Sequence, residues 1–366
     1  MFKLHVVQAQ FGDSLILEFG DATKQRYILI DGGPPDTYKN SLDAALRDLV
    51  TTNKLELVVL SHIDNDHIVG LLDLLAALEQ AAANGDPPGI AIERLWHNSF
   101  QKSIDPDGDL TQRMQKLMTI AGSNRVAMPL AADAFFGLKE GNRLRILAKK
   151  LKLPINKGFQ DDLVMFETAP ANIKFGKLTF RVVGPNQKNL EALREEWLKW
   201  LSKAEEEMVS NPATLANADR TVPNLSSIVL LAEYDKKTIL LTGDARSDHI
   251  LSALDQAGLL SAGKLHIDVL KVAHHGSNRN HTASFFKKVT ADTYVISANG
   301  RDDNPDYDTL KWIVEAAGSQ GRQIRIVVTN NTATTKEIKQ THKPADFGYK
   351  LIVKPKADHS ITVDLS

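Results

Sequence analysis

The chain contains no cysteine. That one absence excludes disulfides, iron–sulfur clusters, cysteine nucleophiles and thiolate zinc sites, so any metal must be held by His, Asp and Glu. No run reaches the roughly 18 consecutive apolar residues that a membrane-spanning helix needs. The opening "MFKLHVVQAQFGDSL" lacks the continuous apolar stretch of a signal peptide. The expectation is therefore a soluble cytoplasmic protein with no membrane association. An excess of either charge is also missing. The 44 Lys and Arg stand against 45 Asp and Glu, a formal net charge of −1. No global basic field announces a nucleic-acid partner, although a local basic groove remains open. What is present is ordinary globular composition, 43% hydrophobic and 24% charged over 366 residues. That is enough to bury a sizeable core within one large α/β or α+β domain.

Along the chain, "KLHVVQA" and "SLILEFG" read as strands around the turn "QFGD", and "RYILIDGG" as a strand ending at Asp31. "NSLDAALRDLVTT" has helical periodicity, with Ser41 a candidate N-cap. "LELVVLSH" is a buried-type strand, and "IVGLLDLLAALEQAAANG" a helix closing at Gly85. Residues 100–215 read as a largely helical insertion, broken by the strand "KLTFRVVGP". The second half repeats the opening rhythm. A hairpin turns near Asp235, and strand–helix units end several strands in acidic or histidine residues. No linker rich in Pro, Gly or Ser divides the halves. The pattern predicts one domain over 1–366, with two sheets packed together and helices on the outer faces.

"LSHIDNDHIVGL", residues 60–71, sets His62, Asp64, Asp66 and His67 within one turn between an apolar strand and an apolar helix. In extended chain, side chains two apart point the same way, so His62 and Asp64 can share one target. Asp66 and His67 then lie at the helix start and can face a neighbouring point. An aspartate at a helix start is often only an N-cap, but capping does not need four such residues. Asp31, Asp244, His274 and His275 add charged or imidazole groups at other apolar strand ends. Each is an ordinary turn residue when taken singly. Together they make a candidate metal constellation.

"SHIDNDHIVG" resembles the metallo-β-lactamase superfamily signature H-x-H-x-D-H, with Asp64 in place of the second histidine. The variant is similar to the ComEC-type branch, the hydrolase domain of the competence DNA-uptake channel. "VVQAQFGDSLIL", "ILIDGG", "NLSSIVLL", "LLTGD" and "LKVAHHGS" resemble further motifs of that branch, in order. The resemblance implies an α+β fold, an αββα sandwich of two mixed sheets with the site at one edge. It implies one metal position served by His62 and Asp64, and a second served by Asp66, His67 and a histidine of the pair. By its place before Gly276, that histidine is taken as His275. Asp244 would bridge both positions, and Asp31 would orient a ligand histidine. His274 would lie behind the ligands or donate to substrate. A further superfamily histidine is replaced here by Asn224 and Ser226, which leaves the first position short of ligands. The oxygen-rich donor set leaves the ion open between zinc and manganese, with one or two ions bound.

Such ions activate water and clamp a phosphodiester for in-line attack, with Asp66 or His274 carrying the proton. The branch points to DNA or RNA as substrate. Ser277, Asn278, Arg279 and Asn280 stand beside the histidine pair as phosphate-binding candidates, and "LAKKLKL" and "KKV" offer cations that are also ordinary solvated charge. A small phosphocholine ester, lactone or β-lactam is the alternative substrate class. A metal-binding scaffold acting through a protein partner, or as a homo-oligomer, is the alternative role. Trp197 and Trp200 on the helix near 187–212 are either its contact surface or self-packed.

Overall fold

The computed structural model describes residues 1–21, 23–123, 129–210 and 226–366. Two large mixed sheets lie face to face. The first runs in the order Ser360–Asp364, Phe2–Val7, Leu15–Asp21, Lys24–Ile30, Leu57–Leu60, Leu95–His97. The second runs Tyr349–Val353, Ile324–Val328, Val289–Ile296, Leu265–Lys271, Lys237–Leu241, Val229–Tyr234, Leu178–Gly184, Ile173–Phe175.

Period-two alternation builds the layers. Ile28, Ile30, Leu57 and Val59 point into the core between the sheets, where they meet Leu230, Leu241, Val269 and Val295 from the facing sheet. Their neighbours Tyr27, Leu29, Val58 and Leu60 point outward, under the helices Asp43–Leu49, Asn65–Asn84 and Pro129–Lys150. On the other side, Leu240, Leu270 and Ile296 pack beneath the helices Ser247–Gln256, Ala283–Lys288 and Tyr307–Ser319. The result is the αββα sandwich expected of the sequence. Among the described residues, no helix is long and apolar enough to cross a membrane.

Three details differ from the sequence reading. Ser41 is not a cap. It is buried inside a π-helical turn, Tyr38–Leu42, that runs straight into Asp43–Leu49. Within residues 100–215, Ile173–Phe175 and Leu178–Gly184 form an antiparallel pair that belongs to the eight-stranded sheet, so that stretch is not wholly an addition to the sandwich. The helices Phe100–Ser103, Asp109–Ser123 and Gln187–Ser210 do form their own small core. Trp197 is buried in that core, edge-on to Phe100 at 5.4 Å, with Trp200 packed against it. The tryptophan stripe is thus self-packed at Trp197. Third, Ala333–Thr341 and Pro344–Phe347 are short helices that the sequence did not announce.

The parallel pairing sets the site. Lys24–Ile30 and Leu57–Leu60 run parallel, as do Lys237–Leu241, Leu265–Lys271 and Val289–Ile296. Residues that follow these strands, namely Asp31, His62, Asp244, His275 and Ser297, therefore collect at one edge of the sandwich.

Candidate metal centre

The strand Leu57–Leu60 stops where buried Ser61 and His62 replace its apolar run. Asp64 then opens the helix Asn65–Asn84 with an extended backbone, yet its carboxylate makes no capping hydrogen bond. The helix start is pressed against the loop after Lys24–Ile30. Gly32 N–H donates to the His67 carbonyl at 2.8 Å, and Gly70 N–H donates to the Gly33 carbonyl at 3.0 Å. A Cβ on Gly70 would overlap the carbonyl oxygen of Gly32. The glycines of "DGG" and "IVGL" are required because two backbones touch there.

Six of the expected residues converge. Asp66, His67, Asp244 and His275 offer donor atoms within 4.8 Å of one another, an inner group. His62, Asp64 and Asp66 form an outer group on the same criterion. Asp66 thus belongs to both, whereas the sequence assigned it to one. Asp244 lies between the groups. Its Oδ1 is 3.3 Å from Nε2 of His67, and its Oδ2 is 3.6 Å from Nε2 of His62. The imidazoles of His62 and His67 lie 4.0 Å apart and tilted by 49°, and His275 follows at 5.3 Å from His67.

The donors suit a cation. Nε2 of His62, Nε2 of His67 and Oδ1 of Asp244 are buried and make no hydrogen bond. Buried polar atoms are rarely left so, and here they face one another. The opposite ring nitrogens are engaged from behind. Nδ1 of His67 donates to Asp31 at 2.9 Å, and Nδ1 of His275 donates to the Ser297 carbonyl at 3.0 Å. Asp31 is fixed in turn by the backbone N–H and the hydroxyl of Ser61, both at 2.7 Å. Each bond behind a ring selects the tautomer whose Nε2 lone pair points into the site.

Without an ion the charges settle among themselves. For His67, burial opposes protonation, but Asp244, Asp66 and Asp31 outweigh it and hold the ring well above its ordinary pKa. For His275, burial is likewise outweighed, by Asp244 and Asp13, and the pKa is pushed up to about 10. His62 goes the other way. Burial, then the neighbouring His67, depress it to about 4. Burial would raise Asp66, but His67 and His275 hold it down at about 2. Asp244 is held well below the carboxylate range by the ring of histidines, against its burial.

The remaining expected residues are placed as follows. His274 is turned to the rim. Its side chain is 28% exposed, its Nε2 is 3.7 Å from Oδ2 of Asp244, and its Nδ1 donates to Oδ1 of Asn280 at 2.6 Å. Asn280 in turn donates to the Asp244 carbonyl at 2.8 Å. His274 and His275 both adopt the left-handed region, at φ 47° and 53°. Strain of this kind costs on the order of 1–3 kcal/mol per residue, and surrounding bonds must maintain it. Ser277 is buried, with its N–H given to the His274 carbonyl, and the Asn278 N–H donates to Asp306 at 2.7 Å. Asn224 lies outside the described residues.

Sequence reasoning missed what stands behind His275. Oδ2 of Asp13 and Nζ of Lys271 form an ion pair at 2.6 Å with both side chains only 1% exposed. Oδ1 of Asp13 is 3.5 Å from Nδ1 of His275, and the Asp13 N–H donates to the Asp66 carbonyl at 3.2 Å. Burial would raise Asp13, but Lys271, and then His275, hold it far below the ordinary range. The preceding Gly12 lies so close that a Cβ would overlap the Asp66 carbonyl, and its own carbonyl accepts from Ser297 Oγ at 2.6 Å. Ser227 was also missed. Its hydroxyl accepts from the Asp244 N–H at 3.1 Å. The signal for the ion pair was a lysine inside the otherwise apolar run "VLKVA".

No protein-family model matches the chain. No curated protein matches it either. Among solved structures, one titled "Crystal Structure of a New Diphosphatase from the PhnP Family" aligns over 100% of this chain and 98% of its own, at 13% identity and a TM-score of 0.40. A cyclic-trinucleotide-bound Cap4 SAVED/CARF-domain receptor from Acinetobacter baumannii aligns over 97% of this chain and 63% of its own, at 9% identity and a TM-score of 0.12. Likeness at these levels decides nothing about activity.

Proposed function

We propose that the protein is a metal-dependent hydrolase of phosphodiesters, with nucleic acid as its substrate. One observation carries the metal-dependent part. Two donor groups share carboxylates, and Nε2 of His62 and Nε2 of His67 are buried, without a hydrogen bond and aimed at one space, while Nε2 of His275 faces Asp66 at 3.1 Å. The resemblance of the motif series to the ComEC-type hydrolase domain supports the choice of substrate.

His67, His275, Asp66 and Asp244 would hold the inner cation, and His62 and Asp64 would hold the outer one with those shared carboxylates. Bound divalent cations supply Lewis acidity and make water acidic enough to attack at neutral pH. Two imidazoles with two carboxylates fit zinc, and the oxygen-richer outer group fits manganese. Asp66 would be occupied as a ligand shared by both cations. We therefore assign proton transfer to His274, which faces both Asp244 and solvent. Asn280 fixes its ring. Ser277 and Asn278, on the loop held by Asp306, would contact the phosphate. The same reading takes residues 1–366 as one hydrolase domain.

The test is cleavage of single- and double-stranded DNA and RNA with added Mn²⁺ or Zn²⁺, beside an Asp66→Ala/His67→Ala variant. Metal-dependent cleavage that disappears in the variant is the expected result. A wild-type protein that binds metal and cleaves none of the four polymers would sink the nucleic-acid assignment. A protein that binds no metal would sink the hydrolase.

A further inference from the structure

The helix Pro129–Lys150 touches the metal loop midway along its length, at Gly141, and carries cations without ion pairs towards its C-terminal end. A Cβ built on Gly141 would stand 3.3 Å from Cγ2 of Ile63, which sits between His62 and Asp64. Arg145 and Lys149 follow at helical spacings of four, and Lys152 comes three further on, past the helix end. Successive residues at 100° place Gly141, Arg145 and Lys149 on one stripe. Arg145 is half-buried, while Lys149 and Lys152 are exposed. Their neighbours Arg143 and Lys150 point elsewhere and pair with Glu140 and Glu79. Among the described residues, Arg145, Lys149 and Lys152 make no ion pair. Asp162, an acid that feels the charge of Arg145, is already held by Lys102 at 2.9 Å.

These three cations rim a groove of about 560 Å³. Its floor is apolar, built by Leu153, Ile155 and Ile146, the last 50% exposed. Lys149, in the last turn, also suits the negative end of the helix, but the helix end accounts for neither the apolar floor nor Arg145 and Lys152 on the same rim. A strand of nucleic acid offers the complement, phosphates at regular intervals for the cations and bases for the apolar floor. The stripe spans about 16 Å from Gly141 to Lys152 at helical rise, and it begins against the loop that carries His62 and Asp64.

From these placements we infer that the groove along Arg145, Lys149 and Lys152 binds the phosphate backbone of a single-stranded nucleic acid and leads it to the metal centre. The inference rests on the phosphodiesterase reading for its direction, but binding at the groove can be measured without hydrolysis. An acidic peptide shares the charge but has no bases to lay on the floor.

The experiment uses the full chain under chelation, so that no cleavage competes, with a fluorescein-labelled single-stranded DNA oligonucleotide. Affinity is followed from low to high salt. Arg145→Glu/Lys149→Glu/Lys152→Glu should weaken binding at least about tenfold, and it should reduce the log–log salt slope by about 2, the share of three contacts to a single strand. A milder variant, Lys149→Gln/Lys152→Gln, covers misfolding of the first and should lower the slope by about two-thirds as much. Lys336→Glu/Lys339→Glu/Lys343→Glu, on a distant helix and loop, changes net charge equally and should leave the slope as in wild type. The inference is overturned if wild type binds no oligonucleotide, if the distant variant loses as much as the groove variant, or if a polyglutamate peptide displaces the oligonucleotide at equal charge. Groove-dependent binding by a protein that hydrolyses no phosphodiester with any metal would uphold the groove and reject the hydrolase reading. Hydrolysis with groove-independent binding would do the reverse.

Discussion

The inner and outer donor groups sit side by side, yet they are built differently. The side chains of His67, Asp244 and His275 are nearly sealed from solvent, and each ring is held from behind by Asp31 or by the Ser297 carbonyl. The outer group has one buried ring, His62, held at Nδ1 by the Ser61 hydroxyl at 3.0 Å, and an Asp64 side chain that is 42% exposed. Preorganised donors lose little freedom on binding an ion, whereas a donor still in water must be ordered first. The inner group should therefore keep its ion through purification, and the outer group should fill at higher metal concentration.

The largest test removes what the two groups share. Asp244→Asn keeps shape and removes charge from both. Metal content should fall at both positions, and hydrolysis should drop about 10³-fold, the scale of losing one electrostatic stabiliser. Retention of either ion by mass spectrometry would break the shared-carboxylate picture. Next comes the support behind the inner group. Asp13→Ala leaves Lys271 charged and unpaired in the core, at a cost of about 3–5 kcal/mol in urea unfolding. Asp13→Ala/Lys271→Met should recover most of that stability. Inner metal affinity should recover less, because the Asp13 contact with His275 is still gone.

Asp31→Asn should lower inner affinity by about 10–100-fold and leave the outer group nearly unchanged. Asp64→Ala should do the reverse, reducing bound metal by one equivalent in calorimetry. Equal effects of the two variants on both positions would erase the distinction between them.

The last effect needs no mutation and is graded with pH. His275 is raised from 6.5 to about 10 in the metal-free fold, and His67 is raised as well. Their protonated contribution to stability is full below pH 6.5 and is lost as pH climbs towards 10. A cation takes the place of those protons. Inner affinity should thus rise through that window, by roughly tenfold per pH unit for each proton displaced, with matching proton release in calorimetry. His62, lowered to about 4, is already neutral, so the outer group should stay flat above pH 5. A flat inner profile would show that the rings are unprotonated without metal.

The legible parts of the site were local in the chain. His62, Asp64, Asp66 and His67 could be found because one turn carries them, and Asp244 and His275 because apolar strands end beside them. The alternation that separates Val59 from Leu60 made the layers readable too. What could not be read depends on partners distant in sequence. Asp13 looks like any turn aspartate until Lys271 is seen opposite it across the two sheets. Asn280 and Ser297 act through backbone contacts that no spacing announces. Ser41 failed as a cap because a π turn begins upstream of it, and a buried hydroxyl has the composition of a cap without its geometry. Ile173–Phe175 is too short to show a period, which is why the stretch around it read as insertion.

Asp66 and His67 follow a strand of one sheet, and Asp244 and His275 follow strands of the other. The sandwich has no cysteine and so no covalent tie between its layers. An ion in the inner group would be a rivet through both, at the edge where the Ile228 N–H already reaches across to the Ser61 carbonyl at 2.9 Å. Stripping it should let the two layers breathe against each other there first, and amide exchange in the strands Leu57–Leu60 and Leu265–Lys271 should quicken together.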